Sequence, residues 1–278
     1  MSDNPLSGYF RQPAIYITLP SGGKYWPKDT IEIPETGELP VYPMTAIDEI
    51  TYRTPDALFN GDAVVRVVQS CIPAIKNAWG MPACDIDSIL TGIRIASYGH
   101  EMDIDTTCPS CNASSTFSLD LRQVVDSLVA PDYKSTVSVG DLEIHFKPLN
   151  YKQLTQNNLS QFQEQKTVAV LEDAEIDELE KLERLTEAFK KVSVMGLQAV
   201  AQTIHYIKTP ETNVVEPQHI AEFLQQCDKS VFNRIRDHVL SINDAAKLKP
   251  LNIVCDECGH KWQQPFTLDM SDFFVSSS

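Results

Sequence analysis

No stretch of this chain approaches the roughly 20 consecutive apolar residues that a bilayer-spanning helix requires, so no membrane partner is expected. The first residues, MSDNPLSGYFRQPAIYITLP, lack a basic region leading into an apolar run. A secretory leader is therefore not expected, and a cytoplasmic location is. Basic residues are also scarce: 23 Lys and Arg stand against 38 Asp and Glu, a formal net charge of −15. A phosphate backbone is repelled by such a surface unless a local basic patch overrides the total. No Lys/Arg cluster interleaved with aromatics does so, and nucleic acid is not an expected partner.

Catalytic signatures are missing too. The six histidines are scattered, with none in H-E-x-x-H, and there is no G-x-S-x-G. SGGKYW (21–26) carries the Gly-Lys of a phosphate loop, but Thr18 stands where the first Gly belongs and Tyr25 replaces Ser/Thr. The acid pairs Asp85/Asp87 and Asp103/Asp105 lack the rest of a calcium loop. They read as a helix cap and a solvent-facing strand edge. No catalytic residues are assigned, and the chain is not expected to be an enzyme.

With 278 residues, 42% of them hydrophobic, the chain can bury a sizeable core, shared among one to three sub-domains. The fold class expected is α+β. Residues 1–44 form a Pro- and Gly-rich, β-rich arm with short runs AIYITLP, TIEIP and LPVYP, whose prolines suit edge strands. Residues 45–98 are a helical segment. Thr45 and Asp48 have the spacing of a capping box, Val64, Val65, Val68, Cys71 and Ile72 share one helix face, and Ile86, Ile89, Leu90 and Ile93 share another. A β-hairpin follows at 135–148, turning at Gly140-Asp141.

Residues 151–246 read as an inserted helical domain. Its longest helix is expected from about Ala174 to Ile207, where Leu182, Leu185, Phe189, Val192, Gly196 and Ala199 make one apolar stripe at 3–4 spacing. The stripe covers few heptads, so a seam within the chain is expected rather than a coiled coil with a partner. Pro217 suits the first turn of a later helix and Asp228 the cap of the next.

Seven cysteines is an odd number, which argues against a complete disulfide framework. Cys71, Cys84 and Cys227 lie in or beside apolar helical patterns and read as buried small hydrophobes. The other four form two C-x-x-C pairs, Cys108/Cys111 and Cys255/Cys258. Each pair follows a short alternating strand and precedes a similar one, TFSLDL in the first case and PFTLDM in the second. Residues 99–121 plus 248–272 thus read as two hairpins with cysteines at their tips.

A structural zinc ion takes four thiolates in a tetrahedron, and two such turns supply them, so the pattern is that of a split four-cysteine zinc ribbon. A redox dithiol and two separate reduced pairs are the alternatives. The thioredoxin-type motif lies between a strand and a helix, whereas both pairs here lie between strands. Four cysteine ligands leave no open position for catalysis, and His260 reads as an exposed neighbour. Such a site would hold the two halves of the chain together.

Several stretches taken together resemble the T4-type bacteriophage baseplate protein family: YITLPSGGKYW (16–26), VYPMTAIDEI (41–50), PDALFNGDAVV (55–65), DIDSILTGIRIASYG (85–99), the two knuckles CPSC and CDEC, and QPFTLDMSDFF (264–274). The resemblance, to the hub subunits of contractile-tailed phages, implies a non-enzymatic structural subunit or assembly factor. Its expected partners are other baseplate and tail hub proteins. The expected locations are the host cytoplasm during assembly and then the virion tail baseplate. Phe273 and Phe274 are the candidate partner anchors, since exposed aromatics contribute most when buried in a partner pocket; docking back onto the chain's own ribbon is the alternative. A transient assembly chaperone and a cellular zinc-ribbon adaptor are the competing functions.

Overall fold

The computed structural model describes residues 5–54, 60–173 and 178–266, and the fold is α+β. Phe273 and Phe274 lie outside the described residues. The chain divides into two compact units: Met1–Ala78, Cys84–Ala130 and Ala246–Ser278 in the first, and Trp79–Ala83 and Pro131–Ala245 in the second.

In the first unit, strands β1 (Ile15–Thr18) and β2 (Glu38–Val41) pair antiparallel, with Ile15 opposite Val41 and Ile17 opposite Leu39. The TIEIP run forms no strand in this sheet; Ile31 makes only an isolated bridge to Ile75. Alternation turns Ile17, Leu39 and Val41 inward. Helix α1 (Ala46–Tyr52) starts at the expected capping box. The Asp48 N–H donates to Thr45 Oγ1 at 3.2 Å, and the Thr45 N–H donates to Asp48 Oδ2 at 2.8 Å.

Asp48 also takes the Ser70 hydroxyl at 3.0 Å. Beside it, the Arg11 guanidinium donates to the carbonyls of Pro43 at 2.5 Å and Ser70 at 2.8 Å, so it ties the N-terminal arm to α1 and its neighbour. That neighbour, α2 (Asp62–Cys71), buries the predicted Val64, Val65, Val68 and Cys71, and Ala63 and Val67 besides.

Helix α3 (Ala83–Tyr98) buries Ile86, Ile89, Leu90 and Ile93 as its periodicity predicts. Gly92 lets β1 approach it: a Cβ there would meet Ile17 Cγ2 at 2.9 Å. Asp85, read from sequence as part of a helix cap, is fully buried. It accepts the Ser21 N–H at 2.8 Å, the Ser21 hydroxyl at 2.5 Å and the Trp26 Nε1–H at 2.8 Å. The SGGKYW turn is therefore a clamp on this carboxylate, and the Ser21 N–H is already spent on it. Asp103 and Asp105 do face solvent, on strand β3 (Glu101–Thr107).

Strand β3 pairs residue for residue with β4 (Ser114–Asp120), and α4 (Leu121–Ser127) follows. The second cysteine hairpin is β9 (Leu251–Val254) against β10 (Lys261–Gln264). Its return strand ends at Gln264; Leu268 and Met270, whose alternation with Phe266 suggested a strand, lie outside the described residues.

The second unit holds an antiparallel sheet in the order β5 (Val137–Val139), β6 (Leu142–Phe146), β7 (Ile204–Lys208), β8 (Asn213–Val214). Segment 151–246 is thus not wholly helical. The long helix expected to reach Ile207 stops at Thr203, and Ile204 pairs with Phe146 in the sheet.

Around the sheet stand α5 (Tyr151–Asp173), α6 (Glu178–Thr203), α7 (Pro217–Gln226) and α8 (Lys229–Ala245). Pro217 opens α7, and Asp228 accepts the Ser230 N–H at the start of α8. Ile144, Phe146, Ile204, Ile207, Ile220, Leu224 and Ile235 form the core. The segment Trp79–Ala83 belongs to this unit: the Tyr151 N–H donates to the Met81 carbonyl at 2.7 Å and the Ala83 N–H to the Leu149 carbonyl at 2.8 Å.

The α6 stripe is not the seam its spacing suggests. Ala188 is buried, but Leu182 and Phe189 are 64% and 59% exposed. Toward its C-terminal end the stripe borders α5 instead: Val192, Gly196 and Ala199, with Met195, line a groove with Asn157, Ser160 and Gln161.

Candidate metal centre

Both cysteine turns are built alike. The strand pairs closing them are Thr107 with Ser114 and Val254 with Lys261, so each turn is six residues long. The Cys108 N–H donates to the Ala113 carbonyl at 2.9 Å, and the Cys255 N–H to the His260 carbonyl at 2.9 Å. The Asn112 N–H returns to the Cys108 carbonyl and the Gly259 N–H to the Cys255 carbonyl, both at 2.9 Å. Such a turn needs a left-handed residue just after its second cysteine. Asn112 (φ 58°) and Gly259 (φ 69°) supply it, and these are the residue types that adopt it most easily. The sequence carries a signal for this turn, Asn112 and Gly259 at the same offset after each C-x-x-C, that the strand alternation does not reveal.

The two tips meet. The ligand sulfurs of Cys108, Cys111, Cys255 and Cys258 all lie within 4.8 Å of one another. Cys108 Sγ stands 3.8 Å from Cys258 Sγ, and Cys111 Sγ 3.6 Å from Cys255 Sγ. A disulfide would require about 2.0 Å, and all four thiols are free. A tetrahedron of metal–sulfur bonds about 2.3 Å long has edges of about 3.8 Å, so the spacing fits one ion between the turns. Cys108 and Cys255 are buried, and Cys111 and Cys258 are exposed at the rim.

The Ser110 N–H points at Cys108 Sγ from 3.4 Å. Burial opposes ionisation of Cys108, but the backbone N–H groups of Cys111 and Ser110 outweigh it and bring the thiol down to about 7. At Cys111 the Ala113 N–H favours the thiolate, but the sulfurs of Cys258, Cys255 and Cys108 push the group up to about 12. The thiolate thus forms readily at Cys108 and is resisted at Cys111, as expected where sulfurs crowd together. The cluster could therefore hold a metal ion. The His260 ring is exposed; its contribution is the backbone carbonyl.

Of the remaining cysteines, Cys71 is buried, whereas Cys84 and Cys227 are only partly so. Burial pushes the Cys71 and Cys84 thiols up to about 12 and raises that of Cys227, which leaves all three protonated and unreactive.

Fold and cluster together define an α+β protein in which two distant hairpins close around four sulfurs. Residues 17–275 match the family model described as T4 bacteriophage base plate protein, and the chain belongs to that family. No curated protein and no solved structure matches it.

Proposed function

We propose that this chain is a structural subunit or assembly factor of the baseplate hub of a contractile-tailed phage, acting through contacts with other baseplate and tail hub proteins. The family match over residues 17–275 carries the reading. In this reading Cys108, Cys111, Cys255 and Cys258 hold one zinc ion with a structural role. The ion supplies charge neutralisation and four bonds of fixed geometry, and it joins the segment around 101–120 to the segment around 251–264. The four-sulfur donor set, without carboxylate or imidazole, favours zinc over hard cations.

The protein is made in the host cytoplasm and assembles into the tail baseplate, with Phe273 and Phe274 as candidate anchors for a neighbouring subunit. The test is a pull-down of the tagged chain from infected cells, combined with mass spectrometry of purified virions. Recovery of tail proteins and presence in particles support a resident subunit. Recovery of tail proteins with absence from particles points to a transient assembly chaperone. Failure to recover any tail protein overturns the reading.

A further inference from the structure

The apolar stripe of α6 is only partly covered: Leu182 and Phe189 stand exposed, and Leu185, Val192 and Ala199 are half-buried. Leu182, Leu185, Phe189, Val192, Gly196 and Ala199 recur at alternating steps of three and four, the spacing of a two-helix seam. The stripe is graded: its N-terminal half is large (Leu, Leu, Phe) and its C-terminal half small (Val, Gly, Ala). At the small end, a groove of about 200 Å³ opens between Val192, Met195, Gly196 and Ala199 of α6 and Asn157, Ser160 and Gln161 of α5. A Cβ built on Gly196 would meet nothing within 4 Å, so the hole is open.

We infer that a second copy of this chain docks on this face, its α6 running antiparallel to the first. In an antiparallel pair the residues at one level have numbers of constant sum. The sum 381 places Leu182 against Ala199, Leu185 against Gly196 and Phe189 against Val192 of the other copy. Every large side chain then meets a small one, and under the two-fold axis each pair occurs twice. A parallel pair would instead set Phe189 against Phe189 and Gly196 against Gly196, with crowding at one level and a void at another. Charge also favours a second copy here. The chain carries −15 overall, and most of its surface would repel itself. The exposed flanking positions Thr186 and Ser193 are uncharged, so the strip brings no like charges face to face.

Light scattering and sedimentation of the full chain over a concentration series test this. The expected result is twice the monomer mass at the upper end. Leu182→Glu, at an exposed position, sets a carboxylate against Ala199 of the other copy and weakens the dimer by about a hundredfold or more. Ala199→Lys weakens it similarly. Mixing the two variants restores association, because the carboxylate at position 182 of one chain faces the ammonium at position 199 of the other. These positions lie about 26 Å apart along one helix, so they cannot pair within a chain. Circular dichroism confirms that each variant is folded; if Ala199→Lys is not, Gly196→Leu, at an exposed position where an added Cβ meets nothing within 4 Å, replaces it and must also dissociate the dimer. A full chain that stays monomeric overturns the inference, as does a dimer indifferent to Leu182→Glu. Folded Leu182→Glu and Ala199→Lys variants that stay apart when mixed overturn it as well.

Discussion

Asp85→Ala removes the single acceptor shared by Ser21 and Trp26 while leaving α3 its best helix former. Three donors converge on this carboxylate, from the Ser21 N–H, the Ser21 hydroxyl and the Trp26 ring. The hydroxyl can rotate to another acceptor; the two N–H groups cannot. Each buried donor left unpaired costs about 1–3 kcal/mol, which sets the gross loss at about 2–6 kcal/mol. Relief from burying a carboxylate offsets part of this, and the net loss expected is about 2–4 kcal/mol.

Asp85→Asn keeps the shape and one acceptor but turns an NH2 toward the Trp26 N–H, so its cost is smaller, about 1–3 kcal/mol. The assay is urea unfolding followed by tryptophan fluorescence. Burial also raises the Asp85 carboxyl above its ordinary 3.8, against the hydrogen bonds from Ser21 and Trp26. A carboxyl that holds its proton more tightly when folded lends stability that is full below the unfolded pKa. That contribution is lost as pH rises through the folded value. The margin of wild type over Asp85→Asn is therefore widest in acid, narrows as pH rises above 3.8, and then levels off. Asp87, raised by burial as well, is common to both proteins and cancels. An Asp85→Ala protein within about 0.5 kcal/mol of wild type, the range of ordinary surface changes, would refute the reasoning.

Protein purified without chelator should contain one zinc per chain by elemental analysis. Cys258→Ser or chelation should lower the unfolding free energy of the first unit by up to about 5 kcal/mol, the closure entropy of a 144-residue loop; an unchanged stability refutes the clasp. Gly92→Ala should destabilise by about 1–3 kcal/mol through overpacking against Ile17, read as a shift in melting temperature, and no shift would mean the strand yields freely. Arg11→Ala should cost about 1.5–3 kcal/mol, the range for hydrogen bonds to a charged group. It should expose residues 11–14 to limited proteolysis, and unchanged cleavage would show that the arm is held by its apolar contacts alone.

The local features were legible wherever neighbours in sequence settle them. The Thr45–Asp48 box, the faces of α2 and α3, and the cysteine turns all follow from spacing alone. What escaped depends on distant partners. Ile204 and Ile207 continue the apolar spacing of α6, and only the pairing of Ile204 with Phe146 turns them into a strand. An acid in the first turn of a helix normally faces water, so nothing near Asp85 announced that Ser21 and Trp26 would cover it. The α6 stripe was visible, but sequence alone could not say which helix face α5 would take. The four ligand candidates were legible because one type of cysteine turn occurs twice; their convergence to 3.6–3.8 Å required the fold.

The order in which the ribosome makes this chain gives the split cluster a consequence in time. Cys108 and Cys111 emerge first, and Cys255 and Cys258 follow only after the whole of the second unit. At roughly 5–20 residues per second, the 144 positions between Cys111 and Cys255 amount to a delay of about 7–30 s. Throughout it the first knuckle is half a site, with thiols open to oxidants and to any metal that two sulfurs can catch. Closure then becomes a signal that synthesis has passed the second unit. A nascent chain interrupted before Cys255 would carry an uncapped knuckle.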